Sequence, residues 1–410
     1  MKKSILFAGL LMVAAMFIGC NNDHSPETSS TKLWPAAMVS TDAQGVQTAK
    51  WGYIDEKGNF AIATSYDEAN EFSCGFACVR VSGGKLFFID TKGNMQSAPD
   101  FLRVYTFFYY DHVTYITSSY LYGMLNKNFE IAIQPAYKYL GVMSDAGLVA
   151  YTQDGDKFGY LDKNGEIAIS ATYDFANTFD AGYAVVQMGT TYGIIDKGGN
   201  FTISLQDKRL GNLGGERIGF MDPTTYKFGM MDAKGHIIVQ AMYDDYSTYG
   251  FTDVDLMAVG QDKKWGYMDK NGKVVIGVQF AYATPFLNGF AFIARTETSA
   301  WECIDEKGKT VFTLAKDEAP AGLFINGLCL VEKEETDGIS YKYVNEKGAT
   351  IYTWKYSGRV YAGGGNAGGG GELGGDEDYA PARRAVNASH RLDVDKLMEG
   401  TPYGYRGMKK

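Results

Sequence analysis

Short apolar runs alternate with polar turns along most of the chain, with the two-residue period of β-strands. From Trp51, WGYID alternates apolar and polar positions, DEKGN has the composition of a turn, and FAIAT resumes the alternation. A glycine late in a short polar turn suits the left-handed backbone of a hairpin. We therefore predict a hairpin made of a signature strand, which carries the aromatic-Gly pair, and a return strand.

A third strand completes each unit. The loop YDEANEFSCG at residues 66–75 follows the first return strand, and its spacing recurs in YDFANTFDAG at 173–182 and FAYATPFLNG at 280–289. After each loop comes an apolar run such as FACVRV from Phe76, here named the lead strand, which a short turn joins to the next signature strand. Each unit is predicted to be a three-stranded antiparallel meander.

The signature recurs along the chain with the frame aromatic, Gly, x, aliphatic, Asp, x, x, Gly. Its nine copies begin at Trp51, Leu86, Tyr122, Phe158, Tyr192, Phe228, Trp265, Trp301 and Tyr341. The first and last copies start 290 residues apart, which gives a period of about 36 residues. The clearest copies place the motif at Trp51, Gly52, Asp55 and Gly58, at Phe158, Gly159, Asp162 and Gly165, and at Trp265, Gly266, Asp269 and Gly272.

The repeats predict an all-β tandem array of nine meanders. Lead strands are apolar on both faces, as at Tyr183–Val186, so neighbouring meanders should stack face to face. The array begins with a lead strand at Leu33 and ends with a return strand at Thr350, which gives nine complete units and no unit split between the chain ends. A β-propeller-like ring and an open β-superhelix both remain compatible with this pattern.

The signature and its spacing resemble the WG-repeat family, named for the Trp-Gly pair that stands intact at Trp51-Gly52 and Trp265-Gly266. The resemblance covers residues 33–356. The second copy lacks both motif residues, having Leu86 and Phe87, and the eighth and ninth replace the glycine with Glu302 and Lys342. The resemblance implies a bacterial interaction or envelope module, and it brings no catalytic residue.

The N-terminus predicts export and lipid anchoring. Residues 1–19 join Lys2 and Lys3 to an uncharged apolar run that is too short for a membrane-spanning helix, which is typical of a signal peptide. The run ends in FIGC, which resembles the lipobox of bacterial lipoproteins and implies lipidation of Cys20. Residues 20–32 are expected to be a flexible tether. The predicted location is a bacterial membrane: the outer membrane, on its periplasmic or its surface face.

Net charge and cysteine content indicate which partners, metals and disulfides the chain can have. The chain has net charge -9, and removal of Lys2 and Lys3 makes it -11, so nucleic acid is not expected as a partner. Beyond Cys20, the cysteines form no zinc pattern and no dense disulfide framework; Cys74 with Cys78 is the one pair left open.

The motif aspartate raises the question of calcium. Five copies carry lysine two residues after it, where calcium needs an oxygen ligand, so we interpret the aspartate as a turn-capping residue. The four histidines have no catalytic motif around them, and the Asp244-Asp245 pair lies in a repeat position that explains the first aspartate. We therefore expect no catalytic residue, metal or cofactor.

Composition changes after Tyr356. Residues 357–379 are predicted to be a glycine-rich linker, and residues 380–410 a C-terminal tail or docking segment that binds a partner or folds back on the array. The whole chain is thus interpreted as an envelope-anchored lipoprotein and non-catalytic scaffold for a surface or envelope protein. The alternative is a glycan-binding surface lipoprotein that uses the repeat aromatics.

Overall fold

A computed structural model describes residues 32–105, 108–247 and 249–356. Cys20, the N-terminal segments 1–19 and 20–31, the linker 357–379 and the tail 380–410 lie outside the described residues. Within them the fold is all-β, with strands from Trp34 to Tyr356. None of the described residues belongs to a helix with the length and apolar character needed to cross a membrane.

The strands form nine antiparallel sheets in chain order. Sheets one to three hold β1 (Trp34–Thr41), β2 (Gln47–Ile54) and β3 (Phe60–Tyr66); β4 (Glu68–Ala69), β5 (Phe76–Arg80) and β6 (Leu86–Asp90); β7 (Arg103–Val104), β8 (His112–Ile116), β9 (Tyr122–Asn126) and β10 (Ile131–Tyr137). Sheets four to six hold β11 (Tyr139–Leu140), β12 (Leu148–Thr152), β13 (Phe158–Asp162) and β14 (Ile167–Tyr173); β15 (Phe175–Ala176), β16 (Tyr183–Met188), β17 (Thr191–Asp196) and β18 (Phe201–Gln206); β19 (Arg209–Gly214), β20 (Arg217–Met221), β21 (Phe228–Asp232) and β22 (Ile237–Tyr243). Sheets seven to nine hold β23 (Asp245–Tyr246), β24 (Leu256–Gln261), β25 (Lys264–Asp269) and β26 (Val274–Phe280); β27 (Tyr282–Ala283), β28 (Phe290–Ala294), β29 (Trp301–Asp305) and β30 (Thr310–Thr313); β31 (Glu318–Pro320), β32 (Leu328–Glu335), β33 (Gly338–Asn345) and β34 (Thr350–Tyr356).

The predicted meander of lead, signature and return strands is confirmed, with one addition. In most sheets, part of the preceding loop pairs with the lead strand as a short fourth strand, usually two residues long. Among the described residues, sheet one has no short strand and sheet two has no return strand. Two residues are too few for a periodic signal, which is why the sequence predicted three strands per unit.

Strand register places two turns of every unit at the same end of its sheet. The first residue of the lead strand lies opposite the motif aspartate, as for Leu148 with Asp162 and Leu256 with Asp269. The turn before the lead strand and the hairpin turn after the signature strand therefore lie together. We call this side of the molecule the turn end, and the side that carries the turns between lead and signature strands the far end.

Neighbouring sheets share their hydrophobic cores. One cluster joins Tyr160 of sheet four to Ala184 and Val186 of sheet five, and another joins Tyr267 of sheet seven to Ile304 of sheet eight. The predicted face-to-face stacking of apolar lead strands is therefore confirmed.

The ninth sheet packs on the first. A single core contains Trp34 and Ala36 of sheet one together with Tyr343 and Trp354 of sheet nine. The Trp34 indole Nε1 also donates a buried hydrogen bond to the Ile325 carbonyl at 2.7 Å. The array is a closed nine-bladed ring of β-propeller type, so the open superhelix is excluded and each sheet is hereafter called a blade.

The short strand supplies hydrogen bonds that blade one must replace. In blade five, the loop amides of Asp174 and Asn177 donate to the carbonyls of Gln187 and Val185 on the lead strand, each at 2.9 Å. Blade one has no such loop segment among the described residues, so two carbonyls of its lead strand β1 would be left without donors.

Two tyrosines of blade nine provide those donors. The Tyr343 hydroxyl donates to the Pro35 carbonyl at 3.0 Å, and the Tyr352 hydroxyl donates to the Ala37 carbonyl at 3.1 Å. Pro35 and Ala37 pair with Tyr53 and Trp51, so they occupy the lead-strand positions of Val185 and Gln187 in blade five. Side-chain hydroxyls thus take the place of backbone amides and close the ring without a blade shared by the two chain ends.

The signature glycine is required by a bulge in the return strand. Phe158 pairs with Tyr173 but Tyr160 pairs with Ile169, so β14 has two extra residues opposite Gly159. A Cβ on Gly159 would lie 2.4 Å from the Ile169 carbonyl oxygen, and one on Gly266 would lie 2.6 Å from the Ile276 carbonyl oxygen. Backbone, which cannot rotate aside, fills the space.

The copies that lack the glycine also lack the bulge. Glu302 pairs with Thr313 and Lys342 pairs with Thr353 in regular register. Phe87 lies in blade two, which has no return strand. The three copies that lack the signature glycine therefore have one physical explanation. A side chain fits at the glycine position only when no carbonyl of a bulged return strand lies beside it.

The hairpin glycine joins each blade to the one before it. Gly165 and Gly272 have φ of 84° and 81°, the left-handed region predicted for them. A Cβ on Gly272 would lie 2.5 Å from Cγ2 of Val239 on the preceding return strand. The same contact closes the ring, since a Cβ on Gly58 would lie 2.3 Å from the Ile351 carbonyl oxygen of blade nine.

Replacement of Gly266 by alanine is expected to lower the free energy of unfolding by about 1–3 kcal/mol, because the new Cβ overlaps backbone. Gly277, on the same blade, is the matched control, since a Cβ there meets nothing closer than Gln279 Nε2 at 3.8 Å. Urea unfolding of Gly266→Ala and Gly277→Ala measures the difference. Equal midpoints would contradict the bulge explanation.

Replacement of Tyr343 and Tyr352 by phenylalanine is expected to cost about 1–3 kcal/mol per hydroxyl, because each change leaves a carbonyl of β1 without a donor. Hydrogen exchange should accelerate in β1 and β2. Tyr160→Phe is the control, since its hydroxyl donates to the Asn177 carbonyl in an ordinary blade contact. If Tyr160→Phe accelerated exchange in β1 equally, the closing role would be wrong.

Candidate functional site

Each motif aspartate accepts hydrogen bonds from backbone amides of its own hairpin turn. Oδ1 of Asp162 accepts the amides of Asn164 and Glu166, and Oδ1 of Asp269 accepts those of Asn271 and Lys273, each at 2.9 Å. Equivalent pairs of bonds form at Asp55, Asp90, Asn126, Asp196, Asp232, Asp305 and Asn345. The backbone amide of Asn59 holds the pKa of Asp55 below its usual value.

This geometry gives the carboxylates the turn-capping role that the repeats predict. Asparagine at two of the nine positions makes the same bonds without a charge, so the ring does not depend on an anion there. In the part of the chain that the structure describes, no three His, Cys, Asp or Glu side chains are grouped to hold a metal ion.

The adjacent acids Asp244 and Asp245 have different environments. Asp244 forms an ion pair with Lys227 and accepts a hydrogen bond from it, which lowers the pKa of Asp244. The same pair recurs as Lys50–Asp67 and Lys157–Asp174. Burial raises the pKa of Asp245 to about 6. Since the Asp244 ion pair is a repeat feature, the two carboxyls do not define an acid-base site.

The repeat aromatics are mostly used inside the ring. Tyr53, Tyr160 and Tyr267 each pack edge-on against a loop phenylalanine, with ring centroids 4.7 Å apart. Each hydroxyl also donates to a carbonyl of the loop that leads into the next blade. Among the described residues, the most exposed aromatics are Tyr120 and Tyr226, at 68% and 69%, on blades three and six. They do not form the row on one face that would favour glycan stacking.

Histidine and cysteine provide no nucleophilic arrangement in the described part of the chain. His112 Nδ1 lies 2.7 Å from the Tyr110 carbonyl, and His236 Nδ1 lies 2.8 Å from Asp232 Oδ2. Cys78, Cys303 and Cys329 are free buried thiols, so Cys78 is not paired with Cys74. Burial raises the pKa of the Cys78 thiol to about 12, which keeps it protonated at neutral pH.

The turns that precede the lead strands of blades two to seven are acidic. We call these segments the acidic turns. Their described residues contain no lysine or arginine and carry seven acidic side chains: Glu71, Asp111, Asp145, Asp180, Glu216, Asp253 and Asp255. Burial raises the pKa of Glu71 to about 8, so this side chain is uncharged at neutral pH. Two others form ion pairs with lysines of the hairpin turns, Asp111 with Lys127 at 2.9 Å and Asp255 with Lys270 at 2.6 Å. Burial, and then the charge of Asp145, raise the pKa of Asp180 to about 6; Glu216 adds to the rise and Lys270 opposes it. Charges from blades four, six and seven act on one carboxyl of blade five, so these turns converge at the turn end.

A row of exposed apolar side chains follows the hairpin turns at the turn end. The same repeat position, opposite the residue before the motif aspartate or asparagine, is a large apolar residue in blades one to seven. In blade one this residue, Phe60, packs against Tyr352 of blade nine, and in the next six blades it is exposed. This apolar arc consists of Met95, Ile131, Ile167, Phe201, Ile237 and Val274. Its members are 39–65% exposed. Single exposed apolar residues are ordinary, but six at one repeat position form an organised surface.

Blade nine holds a cavity of about 480 Å³. Two ion pairs line it, Lys342 with Glu318 at 2.6 Å and Lys355 with Glu335 at 2.5 Å. Glu332 lies beside it with a buried Oε2 that has no hydrogen-bond partner, and burial, with a smaller contribution from Glu334, raises its pKa to about 7. The lysines of the cavity are paired, so we assign it no ligand.

Sequence reasoning missed the apolar arc and the acidic turns. A signal for the arc is present, since the residue after the hairpin turn is apolar in copies one to seven. An apolar residue at that position is also what an ordinary half-buried strand would have, and only the structure separates the exposed apolar residues from the buried ones. The acidic turns lack a common spacing, because their loops differ in length.

The fold defines a nine-bladed β-propeller. Five segments of the chain match the family described as WG containing repeat, at residues 51–85, 122–156, 158–189, 228–265 and 265–294. The chain therefore carries WG repeats, in agreement with the resemblance seen in its signatures. No curated protein matches the sequence.

Solved structures of low similarity were also found. BamB from Moraxella catarrhalis is 12% identical over 76% of this chain and 99% of that chain, with a TM-score of 0.34. Hsv2 from Kluyveromyces lactis is 9% identical over 70% and 97%, with a TM-score of 0.34. A quinoprotein alcohol dehydrogenase-like protein from Bacteroides thetaiotaomicron is 9% identical over 79% and 82%, with a TM-score of 0.36.

Glu332 is expected to make stability depend on pH. Its folded pKa lies near 7 and its ordinary value is 4.5, so between these values the folded protein keeps a proton that the unfolded chain releases. Its contribution to stability is therefore present below about pH 4.5 and lost as pH rises to 7. The unfolding temperature of Glu332→Gln should rise relative to wild type between pH 5 and pH 8. The control is Glu346→Gln at an exposed position, whose unfolding temperature should follow that of wild type at every pH. If the difference in unfolding temperature between Glu332→Gln and wild type did not change with pH, the ionisation of a buried Glu332 would be contradicted.

Proposed function

We propose that the protein is an exported, lipid-anchored envelope protein whose ring is a non-catalytic scaffold for a protein partner. The observation that carries this proposal is that the repeat contains two sets of positions, one that builds the ring and one that stays exposed. The aspartates, tyrosines and glycines of the signature are used to build the ring, whereas one apolar position per blade is left exposed on six consecutive blades. A surface of this kind offers contact area without reactive groups.

The anchor is proposed from the N-terminal sequence. An apolar run followed by FIGC supports acylation of Cys20, with residues 20–32 as a tether to the first strand. Acyl chains contribute on the order of 0.8 kcal/mol per buried CH₂, so two or more hold a protein stably on a membrane. The proposed location is the outer membrane, on its periplasmic or its surface face.

Cys20→Ser is expected to move the protein from the membrane fraction to the soluble fraction of the cell. Loss of the acyl mass from the mature N-terminal peptide, measured by mass spectrometry, should accompany this change. Cys78→Ser is a control that removes a buried thiol of the ring without touching the anchor. Membrane retention of an unacylated Cys20→Ser protein would contradict the lipid anchor.

A specific envelope protein should be captured through the apolar arc. Residues 21–356 would be immobilised and washed with solubilised envelope of the source organism, beside a variant carrying Ile167→Asp and Ile237→Asp. The expected result is one or two enriched proteins that the variant does not retain. The exposed far-end pair Asp156→Lys and Glu297→Lys is the control. Enrichment of polysaccharide, or equal retention by all three proteins, would count against a protein scaffold.

A further inference from the structure

The strongest unassigned feature of the molecule is the surface formed by the apolar arc and the acidic turns. Both lie at the turn end, because arc residues pair next to the motif aspartate and the acidic turns precede the lead strands that start opposite it. An occupant must therefore supply apolar side chains for the arc and positive charge for the carboxylates.

The C-terminal segment of the same chain has that composition. Residues 380–410 contain seven lysines and arginines against three aspartates and glutamates, a net charge of +4 in a chain whose total is -9. Between these charges stand apolar residues, among them Leu392, Leu397, Tyr403 and Met408. By contrast, the acidic turns contain seven acidic side chains and no basic residue, and four of them, Asp145, Asp180, Glu216 and Asp253, remain when the neutral Glu71 and the ion-paired Asp111 and Asp255 are set aside. The charge of the tail is thus opposite to that of the acidic turns.

The connection is long enough. The ring ends at Tyr356, at the far end, because β34 starts at its hairpin turn at the turn end and runs away from it. The seven residues of β34 span about 23 Å at roughly 3.3 Å per residue. The 23 residues from 357 to 379 can extend to about 76 Å at roughly 3.3 Å per residue. They can return over the edge of the ring to the turn end.

We propose that residues 380–410 dock in cis on the turn end, with their apolar residues on the arc and their basic residues at the acidic turns. Other occupants fit less well. A second ring would bring its own acidic turns against these, and an anionic lipid surface would meet carboxylates of its own sign. The segment would then cover the surface that the proposed function gives to a partner, although the docking itself requires no envelope partner.

The test uses purified components, so its outcome is independent of envelope capture. The ring packs only on itself within the described residues, so residues 21–356 serve as the receptor. A peptide of residues 380–410 is titrated into this ring and into residues 21–410 by calorimetry. The expected result is salt-sensitive binding to the ring, and binding at least tenfold weaker to the longer protein, where the tethered segment already occupies the site.

Surface variants locate the docking site. Ile167→Asp with Ile237→Asp, and separately Asp145→Lys with Glu216→Lys, should each weaken peptide binding at least tenfold. The far-end pair Asp156→Lys and Glu297→Lys changes the net charge by the same amount as the second variant and should leave binding unchanged. All these residues are exposed, so unfolding temperature serves as a check that each variant folds.

Four outcomes of the titrations would overturn the proposal. They are no binding to the ring, equal binding by a scrambled peptide of the same composition, equal affinity for the ring and the longer protein, and equal weakening by the far-end pair. Dimers of residues 21–410 in sedimentation, absent from residues 21–356, would also overturn it, because they would place the segment on a second molecule.

Discussion

No sheet of this ring can bury its own apolar surface. Lead strands such as β16 are apolar on both faces, so each blade is covered only when a neighbour stands on either side of it. In an open array, the first and last blades would each keep one such face in water. Closure removes both exposed faces at once, and the remaining features of the ring serve this requirement.

The contacts between blades are built from a few repeated devices. A tyrosine two residues after the signature aromatic bonds to the loop that enters the next blade, and the hairpin glycine lies against the preceding return strand. In blade nine the tyrosine at the same position, Tyr343, donates its hydrogen bond to a different acceptor. This acceptor is the Pro35 carbonyl of a lead strand, whereas in blades one, four and seven it is a carbonyl of a loop. The closing contact is therefore an adapted repeat contact.

Local features were readable from the sequence because they depend on neighbouring residues. The period, the hairpins and the capping role of Asp162 and Asp269 follow from spacing and turn chemistry. Ring closure was not readable, since it depends on how small rotations between blades add over nine units. The bulge opposite Gly159 was missed for a related reason: the glycine was visible, but sequence does not show whether a side chain or a carbonyl fills the space beside it.

The two ends of the described chain stand on either side of the closing contact and at opposite ends of the ring. The β1 strand begins at the turn end and β34 finishes at the far end. A pulling force between the two termini therefore acts along the boundary between blades one and nine, as shear on the Tyr343 and Tyr352 hydroxyl contacts and on the core around Trp354. Under mechanical load this boundary would bear the force directly. At each of the other eight boundaries between blades, the polypeptide itself also connects the two blades.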